Sequence, residues 1–350
     1  MRKTYCKAVL ATALSLLLIA PPSLWAWGNT GHEAVAYVAW KQLQPATKTR
    51  VLALLKKVPT LHTDSTEIPG YSEWVSDLPS GLSADQQNLY LFMRAATWAD
   101  SIKHHGLHDS DTPPAGLTTE VNIGFDDEAS HGYWHFIDQP FASDSEDLPA
   151  TPIPNAATQI AALRSDIGSN EGDVLKAYDL IWLEHLVGDI HQPLHGSVRY
   201  NGGSGDRGGN LVKIKLPVTM QQKFKCPPSK STPRELHAFW DDLPGSCPAD
   251  TGLSVAASYA KGLPLLLLNP SLPGGDKLAD TDPSNWAKDS ITLAEKDAYA
   301  TPVGGGLQPE DGSSGFLITQ TYYDQAMLDA KDRVALAGAR LAKLLNDNLK

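Results

Sequence analysis

Apolar residues along this chain recur mostly at helical spacing, and the pattern predicts a protein built from helices and long connections. Behind Thr30-Gly-His-Glu33, which reads as a capping box, Val35, Val38 and Ala39 follow at intervals of three and four. Further helices are predicted over 86–103, 155–166, 172–192, 234–242, 251–266, 284–298 and 318–347. In the last of these, Ala326, Met327, Leu328, Val334, Leu336, Ala337, Leu341 and Leu344 form a stripe suited to burial. Pro193 must end or kink the 172–192 helix, which turns His195 away from the face that precedes it. The Gly-, Pro-, Ser- and Asp-rich segments 58–85, 104–131, 140–155, 201–232 and 267–283 read as loops. KIKLP at 213–217 is the clear strand-like run. The expectation is a mainly α, single-domain multi-helix bundle with long loops and a minor β-hairpin, without internal repeat or transmembrane span.

The first 26 residues stand apart. Arg2, Lys3 and Lys7 precede an apolar run from Ala8 to Ala20, and PPSLWA follows. This is the pattern of a secretory signal peptide, too short to span a membrane. Cutting after Ala20 would leave Pro21 first, which signal peptidases disfavour. Cutting after Ala26 leaves Trp27 first and a domain of residues 27–350, long enough for one large core. A secreted or periplasmic protein is expected. Cys6 leaves with the signal, so Cys226 and Cys247 remain and are expected to pair as a disulfide. The chain has no N-glycosylation acceptor, because Asn269 is followed by proline.

Candidate chemistry lies in histidines and aspartates. His185 and Asp189 form one His-x-x-x-Asp pair, and His237 and Asp241 form another. On a helix such a pair shares one face, one turn apart, and can grip a single ion. Asp100, His135, His195 and His32 complete a nitrogen and oxygen set that suits Zn²⁺. Trp27 adds an α-amine once the signal is cut. An α-amine of pKa about 7.7–8.0 loses its proton to a metal readily, and with its own carbonyl it closes a five-membered chelate ring. Net charge is −11, and removing three signal cations makes the remainder more acidic. That balance excludes a groove-reading duplex binder with a basic stripe.

The segments WGNTGHE, ATWAD, HFID, GDIHQPLH, GDRGGN and LHAFWD occur in this order between Trp27 and Asp241. In that order they resemble the zinc-dependent single-strand nucleases of type I, the S1/P1 nuclease family of the phospholipase C/P1 nuclease superfamily. The resemblance runs on to the AGARLAKLL helix near the C-terminus. It implies three Zn²⁺ per chain. The first would be held by Asp100, His135, His185 and Asp189, and the second by His195, His237 and Asp241. The third would be held by the amine and carbonyl of Trp27, by His32 and by Asp189, which bridges to the first. A hydroxide shared between two ions would attack phosphorus, and another ion would stabilise the departing 3′ oxygen. Lys103 matches a position where a cation faces the non-bridging oxygens, so Lys103, Asp100 and Asp189 are the implied catalytic residues.

The resemblance further implies that Phe136 stacks on a base, that Asp138 accepts from its edge, and that Gly209 and Asn210 either line the site or form a tight turn. The expected activity is that of an endonuclease and 3′-nucleotidase acting on RNA and single-stranded DNA to give 5′-nucleotides. Bound ions would supply the positive field that the acidic chain lacks. A zinc-dependent phospholipase C is the alternative, although those enzymes place Glu where Asp241 stands and set the first Trp and His further apart. A non-enzymatic zinc-binding secreted protein is a third reading. Loops 58–85 and 201–232 are longer than those of fungal relatives.

Overall fold

The computed structural model describes residues 27–62, 67–102, 112–113, 116, 124–127, 129–142, 144–224, 232–244, 275–304 and 315–349. The predicted 251–266 helix, the 1–26 segment, Lys103, Cys226 and Cys247 lie outside them.

Helix α1 (Asn29–Gln42) begins two residues earlier than the Thr30 capping box predicts, and no side chain caps it. The reason is local. Gly28 donates its N–H to the Asp241 carbonyl (3.0 Å) and receives the first helical bonds on its own oxygen, which fixes the helix start there. Helix α2 (Pro45–Leu55) follows with proline at its first position. The 58–85 stretch is not all loop: α3 (Tyr71–Ser76) forms there, its start held by the Glu73 carboxylate on the Gly70 N–H.

The predicted 86–103 helix is broken into α4 (Ala84–Ala95) and α5 (Trp98–Ile102). Helix α6 (Ala156–Ile167) starts at Asn155, whose side chain accepts from the N–H groups of Ala157 and Thr158. Helix α7 (Asp173–Asp189) is buried on every side from Lys176 onward, as befits a helix at the centre of a bundle. It stops before Pro193, which opens a short 3₁₀ turn over Pro193–Gly196.

Helices α8 (Val218–Gln221) and α9 (Leu236–Asp241) come next, then α10 (Gly275–Ala279) and α11 (Pro283–Leu293). The predicted 284–298 helix therefore ends early, continuing as one π turn over Ala294–Ala298. Helix α12 (Gln320–Asn348) closes the fold and packs chiefly along α1. Its stripe is narrower than predicted: Leu328 is 57% exposed and Met327 is half-buried, while Ala326, Val334, Ala337 and Leu341 are covered.

Sheet content is small. Strand β1 (Leu61–His62) pairs antiparallel with β2 (Glu67–Ile68). Strand β3 (Pro140–Ala142) runs parallel to β4 (Val198–Asn201), which returns through Gly202-Gly203 to β5 (Ser204–Gly205). The strand-like 213–217 run yields β6 (Ile214–Lys215), parallel to β7 (Phe316–Leu317). The fold is mainly α, and its strands brace loops around one end of α7. No described helix is long and apolar enough to cross a membrane.

Candidate metal centre

The C-terminal half of α7 delivers His185 and Asp189 one turn apart into a fully buried space. Asp189 uses its two oxygens differently. Oδ2 faces His135 Nδ1 (3.0 Å) and His185 Nε2 (3.3 Å), while Oδ1 faces His32 Nε2 (3.2 Å). Asp100, on α5, lies 3.5 Å from His185 Nε2. Burial works against a charge on Asp189. His185 and the bonds from His135 and His32 outweigh it and hold the carboxyl well below the usual carboxylate range. His32 is pushed below the ordinary imidazole value by burial and by His185, so it stays neutral and has a lone pair to offer.

His195, carried past Pro193 on the 3₁₀ turn, meets the second His-x-x-x-Asp pair. Its Nε2 is 3.0 Å from His237 Nε2, and Asp241 lies 3.7 Å from His195 and 3.5 Å from His237. Among the described residues three triads thus have ligand atoms close enough to share an ion: His32/Asp100/His185 and His135/His185/Asp189, which have His185 in common, and His195/His237/Asp241, which stands apart. The grouping of His32 with Asp100 and His185 is one that the sequence did not suggest. The rings of His32 and His185 stack at 3.7 Å.

Tautomers give a chemical test of whether these residues fit a metal. His185 donates Nδ1–H to the Ala96 carbonyl (2.8 Å), His195 to that of His135 (2.7 Å), and His237 to that of Gly208 (2.7 Å). A carbonyl only accepts, so the neutral rings of His195 and His237 have their proton on Nδ1 and a lone pair on Nε2. The Nε2 lone pairs of His195 and His237 then point at each other across 3.0 Å. Such an arrangement repels unless a cation lies between them. Anchoring of the far nitrogen to a carbonyl is also how metal-ligating histidines are commonly oriented. The donor set fits a metal.

Trp27 is buried beside this space. Gly188, directly before Asp189, leaves room for His32: a Cβ there would stand 2.9 Å from His32 Nδ1 and 3.9 Å from Trp27 Cδ1. Trp27, the first helix and α7 therefore converge where the resemblance puts a third ion.

A cleft of about 180 Å³ opens over the second triad, lined by Phe136, Asp138, Arg207 and Asn210 along with His195 and His237. Phe136 and Asp138 are half-buried there. Gly209 packs against Leu194 and Leu236 instead, behind the cleft wall. The Asn210 side chain donates to the Arg207 carbonyl (2.8 Å).

Several contributors escaped sequence reasoning. Gln192 donates to the Asp241 carboxylate (2.7 Å) and accepts from the Leu194 N–H, tying the two ligand turns together. Its position inside GDIHQPLH was the available signal. Glu184, beside His185, is fully buried, and burial pushes its carboxyl well above the usual range. Arg207 adopts a left-handed backbone (φ 54°), a conformation costing a non-glycine residue about 1–3 kcal/mol. Nothing in the linear sequence marks that strain. His191, outside the ligand set, is locked into an arginine network: Arg333 donates to its carbonyl (2.8 Å) and Arg340 to its Nε2 (2.9 Å).

A helical bundle that gathers buried histidines and aspartates into triads of this kind defines a protein built around a cluster able to hold metal. The profile of the S1/P1 nuclease family matches residues 27–350, and the chain belongs to that family. It is similar to Nuclease S1 of Aspergillus oryzae, 24% identical over 347 residues, covering 92% of this chain and 91% of that one. Nuclease P1 of Penicillium citrinum is 24% identical over 332 residues (92% and 97% covered), and Endonuclease 4 of Arabidopsis thaliana is 25% identical over 345 (91% and 88%). Family membership makes the chain a nuclease, a hydrolase acting on nucleic acids.

Proposed function

We propose that this nuclease, cut after Ala26, is a secreted or periplasmic zinc-dependent endonuclease and 3′-nucleotidase that converts RNA and single-stranded DNA to 5′-nucleotides. The observation that supports it most is the facing Nε2 pair of His195 and His237, whose Nδ1–H groups are both committed to carbonyls. In this reading His195, His237 and Asp241 hold one zinc, and Asp100, His135, His185 and Asp189 another. His32, with the amine and carbonyl of Trp27, would hold the third, and Asp189, which faces His32 on one side and His135 and His185 on the other, would serve two ions. When bound, the ions supply Lewis acidity and bring the pKa of water at the site toward neutrality.

The chain's own residues position the substrate. Phe136 stacks on an unpaired base, worth roughly 1–3 kcal/mol whatever the base, and Asp138 accepts from its edge. A base must leave its helix stack to reach such a ring, which accounts for a preference for single strands. Asn210 lines the cleft and Gly209 shapes the turn behind it. Lys103 faces the non-bridging oxygens, and Cys226 pairs with Cys247.

Metal analysis and one substrate comparison test the reading. Purified protein starting at Trp27 should hold about three zinc ions and lose them together with activity and thermal stability under chelation. It should turn over a short single-stranded oligonucleotide and leave phosphatidylcholine intact. Active enzyme with one zinc or none would sink the trinuclear assignment. Turnover of the lipid in place of the oligonucleotide would move the protein to the phospholipase C reading.

A further inference from the structure

The loop from Asp206 to Asn210 is held from every side. Asp206 accepts from the Arg199 N–H (3.0 Å) and the Tyr299 hydroxyl (2.8 Å). The Arg207 carbonyl accepts from both the backbone N–H (3.2 Å) and the side chain (2.8 Å) of Asn210. The Gly208 carbonyl takes the Nδ1–H of His237, a metal-centre ligand. Arg207, Gly208 and Gly209 all have positive φ (54°, 57° and 81°). Glycine or asparagine would be at ease at position 207, yet arginine stands there under strain. The fold does not explain the side chain: among the described residues no acceptor engages its guanidinium, while it borders the cleft shared by Phe136, Asp138, His195 and His237. A strained cation kept at the mouth of a centre that handles phosphodiesters, on a chain of net charge −11, calls for an anionic ligand.

We propose that Arg207 binds a backbone phosphate next to the scissile one, and so gives the enzyme its preference for oligonucleotides over mononucleotides. This rests on the nuclease reading above. The scissile phosphate belongs at the buried triads. Arg207 is exposed at their rim, where the next phosphate of a strand seated on Phe136 would pass. Such contacts fix position and register without reading sequence.

The test uses the zinc-loaded enzyme and two variants, Arg207→Gly and Arg207→Lys. Glycine relieves the left-handed backbone, so its melting temperature and zinc content should equal or exceed those of the wild type. Its kcat/KM for a single-stranded pentanucleotide should fall about tenfold, mainly through KM, with a much smaller change for a 3′-mononucleotide. The slope of log binding constant against log salt should become shallower by about 0.7–1, the signature of one lost phosphate contact. Lysine, keeping the charge, should restore most of that slope. Equal losses on the two substrates would assign Arg207 to the scissile phosphate and overturn the proposal. An unmoved salt slope in Arg207→Gly, in an enzyme that still cleaves the pentanucleotide, would overturn it alone. A wild-type enzyme that cleaves neither substrate would overturn the nuclease reading together with it.

Discussion

His195 donates its Nδ1–H to the carbonyl of His135 (2.7 Å), and Ile137 returns a backbone N–H to the carbonyl of His195 (2.7 Å). A ligand of one triad therefore sets the ring orientation of a ligand in another. Phe136 lies between the two bonded residues, so the aromatic wall of the cleft is fixed by the same pair of bonds. Metal binding, inter-triad spacing and the cleft wall are one mechanical unit.

Asp189 is the side chain whose loss should cost most. Asp189→Asn keeps the volume but removes the charge that faces His32 on one side and His135 and His185 on the other. Activity should fall at least about 100-fold, and metal content should drop by more than one ion. Mass spectrometry of metals beside kinetics checks this. A larger loss for His195→Ala would contradict the shared role.

Trp27 should act through its position rather than its indole. Any residue left in front of it turns the amine into an amide, which is a poor ligand. Protein carrying an extra Gly-Ser should lose one zinc and nearly all activity, whereas correctly cut Trp27→Phe should keep its metal. Full activity of the extended form would falsify the amine assignment.

Gly208→Ala should damage the centre without touching a ligand. A Cβ at Gly208 would stand 2.5 Å from the Leu194 carbonyl, at a φ of 57° that alanine adopts at a cost. The loop must shift, and His237 loses its carbonyl anchor. We expect a loss of about 1–3 kcal/mol in stability and weaker zinc affinity, read by thermal melts and competition with a chelating dye. Normal metal affinity with lowered stability would show the anchor to be dispensable.

Asp329 on α12, outside the ligand set, supplies a pH dependence of its own. Burial, and then the nearby Asp297, push its carboxyl up to about 6. The native state therefore holds the proton where the unfolded chain, at about 3.9, has released it. Stability should fall as pH rises from about 4 to about 6 and stay lower above that. Asp329→Asn should be more stable than wild type at pH 7, by on the order of 1 kcal/mol after discounting for partial exposure, and equal to it near pH 4. Melting curves at the two pH values decide it; the same gap at both would remove Asp329 as the cause.

Much of the site was legible because each ligand sits in a short block whose internal spacing survives folding, and because Pro193 visibly detaches His195 from α7. The misjudged helix between 86 and 103 is instructive. Its apolar pattern continues through Ala96, but the structure breaks there and the Ala96 carbonyl receives the Nδ1–H of His185 (2.8 Å). Local propensity gave way to a tertiary bond at the metal centre. The start of α1 was misplaced for a related reason, since Gly28 is bound to Asp241, which lies on a distant helix. The strain at Arg207 is a property of the closed loop and has no linear signature.

Asn346, near the end of α12, donates to the Gln42 carbonyl (3.1 Å) and accepts from the Gln44 N–H (2.9 Å), closing the corner between α1 and α2. Helix α1, which carries His32, is thus tied to a helix some 300 residues further along the chain. Loss of α12 would therefore uncover the helix that positions His32, without removing any ligand.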